Sequence, residues 1–375
     1  MRRISNIFWL GTKELRSFGH DTVLLAFVVY CFSFAIYSQA TGVSHELRNA
    51  SIAIVDEDQS NLSRSIVHAF LSPYFKKPEA VSSADVDARM DDGRNTFAVD
   101  VPPNFEADVA AGRSPAFQVN VDATAMMQAG IGAGYIQQIV SDEVYRFLHG
   151  TDIAPASPVA LQMRVAFNPG LETPWFVGVM ALLNNINMLA IILAGAAVIR
   201  EREHGTMDHL LVMPITSLEI AAAKVWANGL VIAVCAALSL WFVVHELLGL
   251  PIVGSLPLFL AGLCIYLFFA TAVGIFLGTV ARSMPQLGLL FILIVLPMNL
   301  LSGSNTPFES MPLAVQYAMQ PVPSTHFVAI AQAILYRGAG FDIVWPHFVA
   351  VGTIGALFFV LALLRFRATT SQSIA

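Results

Sequence analysis

Six apolar stretches decide what this chain can fold into. They cover about residues 22–37, 175–199, 221–244, 256–281, 287–301 and 344–364. Roughly 20 apolar residues carry a helix across a bilayer. A helix also satisfies its own backbone groups where no water is present. The fifth stretch is short and contains Pro297, which makes it the weakest of the six. With 56% hydrophobic residues and 12% charged, against about 25% charged in a soluble domain, much of the chain belongs in lipid. Its mean hydropathy of +0.66 agrees.

The net charge is −6 and no block of like charge occurs, so a nucleic-acid partner is not expected. Cys31, Cys235 and Cys264 all fall inside apolar stretches, where they read as small hydrophobes. No CxxC redox or zinc motif is present. The first apolar run follows Arg2, Arg3, Lys13 and Arg16 and lacks a small-residue cleavage site after it, so it reads as a retained span. Before it, residues 4–18 set Ile7, Phe8, Leu10 and Leu15 among basic residues, the pattern of a helix lying along the cytoplasmic interface.

Charge asymmetry orients the spans. With the N-terminus in the cytoplasm, the inner segments hold Arg2, Arg3, Lys13, Arg16, Arg200, Arg202, Lys224, Arg282, Arg365 and Arg367, whereas the two short outer loops hold only Arg337. Both termini are therefore expected inside. The long segment 40–173 is expected outside, where its own basic residues have no vote.

That segment alternates strand and helix signals: strands over 51–56, 96–101, 117–121 and 163–167, and helices near 60–70, 84–92, 102–112 and 126–148. Such alternation implies a small mixed or parallel sheet. Asp56, Glu57 and Asp58 read as a solvated strand end with a helix cap rather than a cation site, and Met126 and Met127 read as packing residues. The expected architecture is an α-helical polytopic membrane protein of six spans with an α/β domain inserted between the first and second. Residues 1–39 form the interfacial helix and first span, 40–173 the external domain, and 174–375 the remaining spans. A short apolar run near 323–337, too short to cross, reads as an outer re-entrant or interfacial helix.

Between the second and third stretches lies a charged insert, residues 200–216: Arg200, Glu201, Arg202 and Glu203, then a helix terminator at Gly205, a short amphipathic run with Leu210 and Leu211, and a stop at Pro214. Thr216 and Glu219 have the spacing of a capping box that starts the next helix. From the residues alone, two readings stand: a well-capped loop that turns the chain, or a built element on which another protein pushes. A simple turn needs only a few residues and has no use for alternating Arg and Glu.

Catalytic motifs are missing. Gly11-Thr12-Lys13 lacks the upstream glycine of a phosphate-binding loop. His245-Glu246 is followed by Gly249 where a zinc protease needs its second histidine. No G-x-S-x-G elbow occurs. The spans carry no ionisable residue at mid-depth, which speaks against a proton- or sodium-driven transporter. They carry amides instead: Asn184, Asn185 and Asn187, then Asn228 and Asn299. Asn184 and Asn187 share a helix face. These amides either line a translocation route or, as the preferred reading, hydrogen-bond between helices. Gly274 and Gly278 form a small-xxx-small pair for close packing.

The run EREHGTMDHLLVMPITSLEIAAAK resembles the signature of the ABC-2 permease family, in which a charged pair and Gly-Thr precede Leu-Leu and Pro. ARSMPQLGLL and THFVAIAQAILYRGAGFDIVWP fit the family too, and the order of one span, a large external domain and five spans extends the likeness over the whole chain. The resemblance implies the membrane half of a bacterial inner-membrane exporter of drugs or other amphipathic cargo. Two permeases, identical or related, would pair with ATP-binding cassette subunits that hold ATP and Mg, and a periplasmic adaptor would dock outside. It also implies that Glu201, Glu203, Gly205, Thr206, Leu210, Leu211 and Pro214 seat on the ATPase. The rival class is a membrane-anchored sensor or scaffold with a ligand-binding external domain, which would need a cytoplasmic output domain. Only about eleven residues follow the last stretch.

Overall fold

The structure, a computed structural model, describes residues 2–42, 47, 49–122, 126–150, 173–203 and 215–372. The chain divides into two compact units, residues 43–165 and the remainder.

The helical unit begins with α1 (Arg2–His20), α2 (Thr22–Phe32) and α3 (Phe34–Gly42). Asp21 caps α2 by accepting from the Leu24 N–H at 3.0 Å. The break between α2 and α3 falls at Ser33, whose hydroxyl donates back to the Val29 carbonyl and competes with the helix ladder. Helix α8 (Thr173–Glu203) is apolar around its whole circumference and is buried along most of its length. Next come α9 (Ser217–Ser239, continuing in π-type turns over Leu240–Leu247), α10 (Leu256–Val280) and α11 (Met284–Leu300). The short α12 (Leu313–Met319) and α13 (Pro323–Ala331, extended by π-type turns to Tyr336) follow, and α14 (Phe341–Gln372) is last.

Five of these helical stretches are long and apolar enough to cross a membrane: Thr22–Gly42, Thr173–Glu203, Ser217–Leu247, Leu256–Val280 and Phe341–Arg367. At 17 residues, α11 falls short of that length. It would rise about 26 Å against a hydrocarbon core of ~30 Å, and Pro297 lies inside it. The first span runs to Gly42, beyond the apolar run that marks it in the sequence, because Ser38, Gln39 and Thr41 remain helical. Helix α10 packs on both α8 and α14, and α13 packs on α10 and α14. On α13, the Phe327 ring stacks on Tyr266 of α10 with centroids 4.1 Å apart.

The second unit holds a four-stranded sheet in the order β2-β1-β3-β4. Its strands are β1 (Ile52–Asp56), β2 (Glu79–Ala80), β3 (Phe97–Val101) and β4 (Gln118–Val121). Strand β1 runs parallel to β2 and β3, with Ile52 opposite Phe97, and β4 pairs antiparallel to β3, with Phe97 opposite Val121. Alternation sends Ile52, Ile54, Phe97 and Val99 to one face, where they meet Leu62, Ile66, Phe105, Ile136 and Val140. Those residues come from α4 (Asn61–Ala69), α6 (Phe105–Ala110) and α7 (Met126–His149). Ala53, Val55 and Ala98 face the other way, onto Val86 of α5 (Val86–Asp91). The sheet is mixed, and its two-residue β2 has no counterpart in the sequence pattern because so short a strand carries no alternation. The strand expected over 163–167, and the side chains of Met126 and Met127, lie outside the described residues. Asp56 accepts from the Gln59 N–H and the Ser63 hydroxyl nearby, and Asp58 accepts from the Glu106 N–H at the start of α6, so these carboxylates serve as caps.

Candidate functional site: a charged helix junction and a buried amide row

The last turn of α8 carries four consecutive charges. Successive residues on a helix point about 100° apart, so each reaches a different neighbour. The Arg200 guanidinium lies 3.2 Å from the Asp21 carboxylate that caps α2. Glu201 lies 2.9 Å from the Lys224 ammonium on α9. Arg202 donates to the carbonyls of Gly278, at 3.3 Å, and Ala281. Those carbonyls close α10, where a cation is favoured by the exposed end of the helix dipole. Glu203 accepts from the Met284 N–H at 3.4 Å, at the start of α11, where an anion is favoured.

Lys224 is 1% exposed, and its ammonium has a second partner, Glu14 of α1, at 3.0 Å. Burial by itself would raise the Glu14 carboxyl, but the adjoining ammonium outweighs it and holds the group below its ordinary value. Two more ties join α1 to α9. Glu219 completes a capping box with Thr216 and also accepts from the Asn6 amide at 3.1 Å. The Trp226 indole donates to the Ile7 carbonyl at 3.0 Å and stacks on Phe8 with ring centroids 5.9 Å apart. At Gly11 a Cβ would sit 2.2 Å from the Trp226 ring, so the helices approach this closely only because position 11 has no side chain.

Deeper in the bundle, the amides of α8 meet those of α11. The Asn187 amide donates to the Asn299 side-chain oxygen and accepts from the Tyr266 hydroxyl at 2.6 Å. The Ser304 hydroxyl lies 3.2 Å from the Asn184 side-chain oxygen and 3.1 Å from the Asn299 carbonyl, and its one proton serves either. Ser302 donates to the same carbonyl at 2.8 Å. Asn187, Tyr266 and Asn299 are buried, and each is hydrogen-bonded, as burial in an apolar bundle demands. Asn185 instead reaches the Cys31 carbonyl, and Asn228 bonds within its own helix to the Lys224 carbonyl. At the crossing of α8 and α10, a Cβ on Gly274 would lie 2.3 Å from the Ile191 carbonyl, and one on Gly278 2.8 Å from the Gly195 carbonyl.

Of the residues nominated in the charged insert, Glu201 and Glu203 sit at this junction. Gly205, Thr206, Leu210, Leu211 and Pro214 lie outside the described residues. Sequence reasoning missed Glu14, Asp21 and Lys224 as members, although basic and acidic residues so close to apolar spans were the available signal.

The family model for ABC-2 family transporter proteins matches residues 22–364. The chain belongs to the ABC-2 transporter family. It is 55% identical, over 98% of its length and 99% of the relative's, to the inner membrane transport permease YhhJ of Escherichia coli K12. It is 28% identical to the probable multidrug ABC transporter permease YbhR of the same strain, over 93% of this chain and 96% of that one. A third relative there, the probable multidrug ABC transporter permease YbhS, is 24% identical over 88% of both. The protein is thus a multi-pass inner-membrane permease subunit, and membership of the family implies partnership with an ATP-binding subunit. The family match begins at Thr22, so α1 and its Glu14 lie outside it.

Proposed function

We propose that this chain is the transmembrane half of an ATP-driven exporter, and that residues 200–216 receive the motion of the ATP-binding subunit. The observation that carries this reading is the fan of contacts made by Arg200, Glu201, Arg202 and Glu203. A push on residues 204–214 from the cytoplasm moves the ends of α8 and α9. Through those four side chains it also reaches α2, α10 and α11, and, by way of Lys224 and Glu14, α1. Gly205, Thr206, Leu210, Leu211 and Pro214 form the seat on the ATPase, which holds ATP and Mg. The bundle rocks as a unit and opens the cavity between two permeases, either two copies of this chain or this chain and a relative, toward the periplasm. Both termini lie in the cytoplasm. The α/β unit lies in the periplasm, where it gates cargo and docks an adaptor. The row from Asn187 to Asn299 acts as glue that keeps α8, α10 and α11 together while they move, and Gly274 and Gly278 allow their close approach.

The test is reconstitution. An affinity-tagged chain expressed in its own cell captures an ATP-binding cassette subunit, and lipid nanodiscs holding both hydrolyse ATP faster than the ATPase alone. Gly205→Leu and Leu210→Asp lower that stimulation. A wild-type chain that captures no ATPase, or variants that stimulate as well as wild type, would overturn the reading.

A further inference from the structure

A cavity of about 750 Å³ opens in the helical unit at the end of α8 opposite Glu201. Trp175, at its wall, precedes Glu201 by 26 residues, or about 39 Å of helix. The volume and its largely apolar lining are those of a site for a drug-sized molecule. Trp175, Phe176, Val328 and Tyr336 give it an aromatic and aliphatic body, and Ser302 connects its wall to the hydrogen bonds around Asn299.

The polar groups in the wall define what can enter. The His326 and His347 Nδ1 atoms face each other at 3.0 Å, and His326 Nε2 lies 2.9 Å from the Gln320 carbonyl. A carbonyl only accepts, so His326 carries its proton on Nε2 and its Nδ1 accepts from His347 Nδ1–H. That leaves His347 Nε2 without a partner among the described residues. Among the described residues, Arg337 also lines the cavity and forms no ion pair, and Glu309 is the one carboxylate in the wall. In that tautomer His347 Nε2 carries a lone pair, so it meets an acidic head only when a proton comes with it; the Arg337 guanidinium donates to the head directly, and the aromatic wall matches an apolar body.

We propose that this cavity is a binding site for an amphiphile bearing a single carboxylate. The carboxylate accepts from Arg337 and, with uptake of one proton at Nε2, from His347, and the body lies against Trp175, Phe176 and Val328. The site rests on the permease reading but not on ATP coupling, so it is tested on the isolated chain.

The probe is dansylamino-undecanoic acid, titrated into the full chain in neutral-lipid nanodiscs, with its methyl ester and the matching dansylated alkylamine as comparisons. The acid binds saturably and more tightly than ester or amine. Arg337→Gln and His347→Asn, the latter keeping a donor where Nδ1 stands, each weaken the acid by roughly tenfold, as loss of a charge-assisted hydrogen bond does. They leave the ester unchanged. Ala329→Phe, which fills the cavity, removes binding of all three. An unchanged thermal unfolding midpoint in detergent shows that each variant is folded. Absence of saturable binding to wild type, preference for the amine, or undiminished binding to Ala329→Phe overturns the proposal.

Discussion

Lys224 illustrates how one residue can hold a junction together. Its ammonium is buried between Glu14 and Glu201, so removing it strands two carboxylates out of water. Breaking a buried pair this way costs about 3–5 kcal/mol, and Lys224→Met is expected to lower the unfolding temperature in detergent by several degrees. Lys224→Met combined with Glu201→Gln restores part of the loss, because one uncompensated charge is gone. The junction also sets a pH response. Glu14 is held below its ordinary value near 4.5, so its contribution is present above that pH and fades as the pH falls through the lower folded value. Glu14→Gln therefore flattens the fall in thermal stability between about pH 5 and 3, which a thermal scan across that range reads directly. In the sequence Lys224 looks like any basic residue near the inner end of a span. Its partner Glu14 lies 210 positions away, and no local pattern announces a contact at that distance.

Between elements, the crossing of α8 and α10 depends on glycine. Gly274→Ala places a methyl against the Ile191 carbonyl and should destabilise the solubilised protein by about 1–3 kcal/mol. Gly288→Ala on α11 meets nothing within 4 Å and serves as the neutral control. The amide row gives a second test. Asn187→Leu and Asn299→Leu each leave a buried partner unsatisfied, by roughly 1–2 kcal/mol. The double variant costs less than the sum, since both ends of one hydrogen bond disappear together. Hydropathy made the helices themselves legible, and the small-xxx-small spacing pointed to Gly274 and Gly278. The pairing of Asn187 with Asn299 was not legible, because helix rotation and the choice of neighbours depend on packing. The facing His326 and His347 were hidden for the same reason: they sit on different helices, α13 and α14, 21 positions apart.

At the scale of the molecule, the charged turn at the end of α8 ties the ends of α2, α9, α10 and α11 together. The alternation of Arg and Glu at residues 200–203 had no explanation as a simple turn, and each of these residues proves to engage a different part of the bundle. The α/β unit was readable from its strand and helix signals because its turns are punctuated by Gly93 and Gly112, both with positive φ. Its strand order, with β1 between β2 and β3, was not, since pairing is non-local. The central claim is that residues 204–214 seat on the ATP-binding subunit in the cytoplasm. The direct measurement is cross-linking of Leu210→Cys, in a chain whose Cys31, Cys235 and Cys264 are replaced by Ala, in intact cells. The account predicts an adduct with the ATP-binding subunit and protection from a membrane-impermeant maleimide added outside. Labelling from outside, with no adduct, would contradict it.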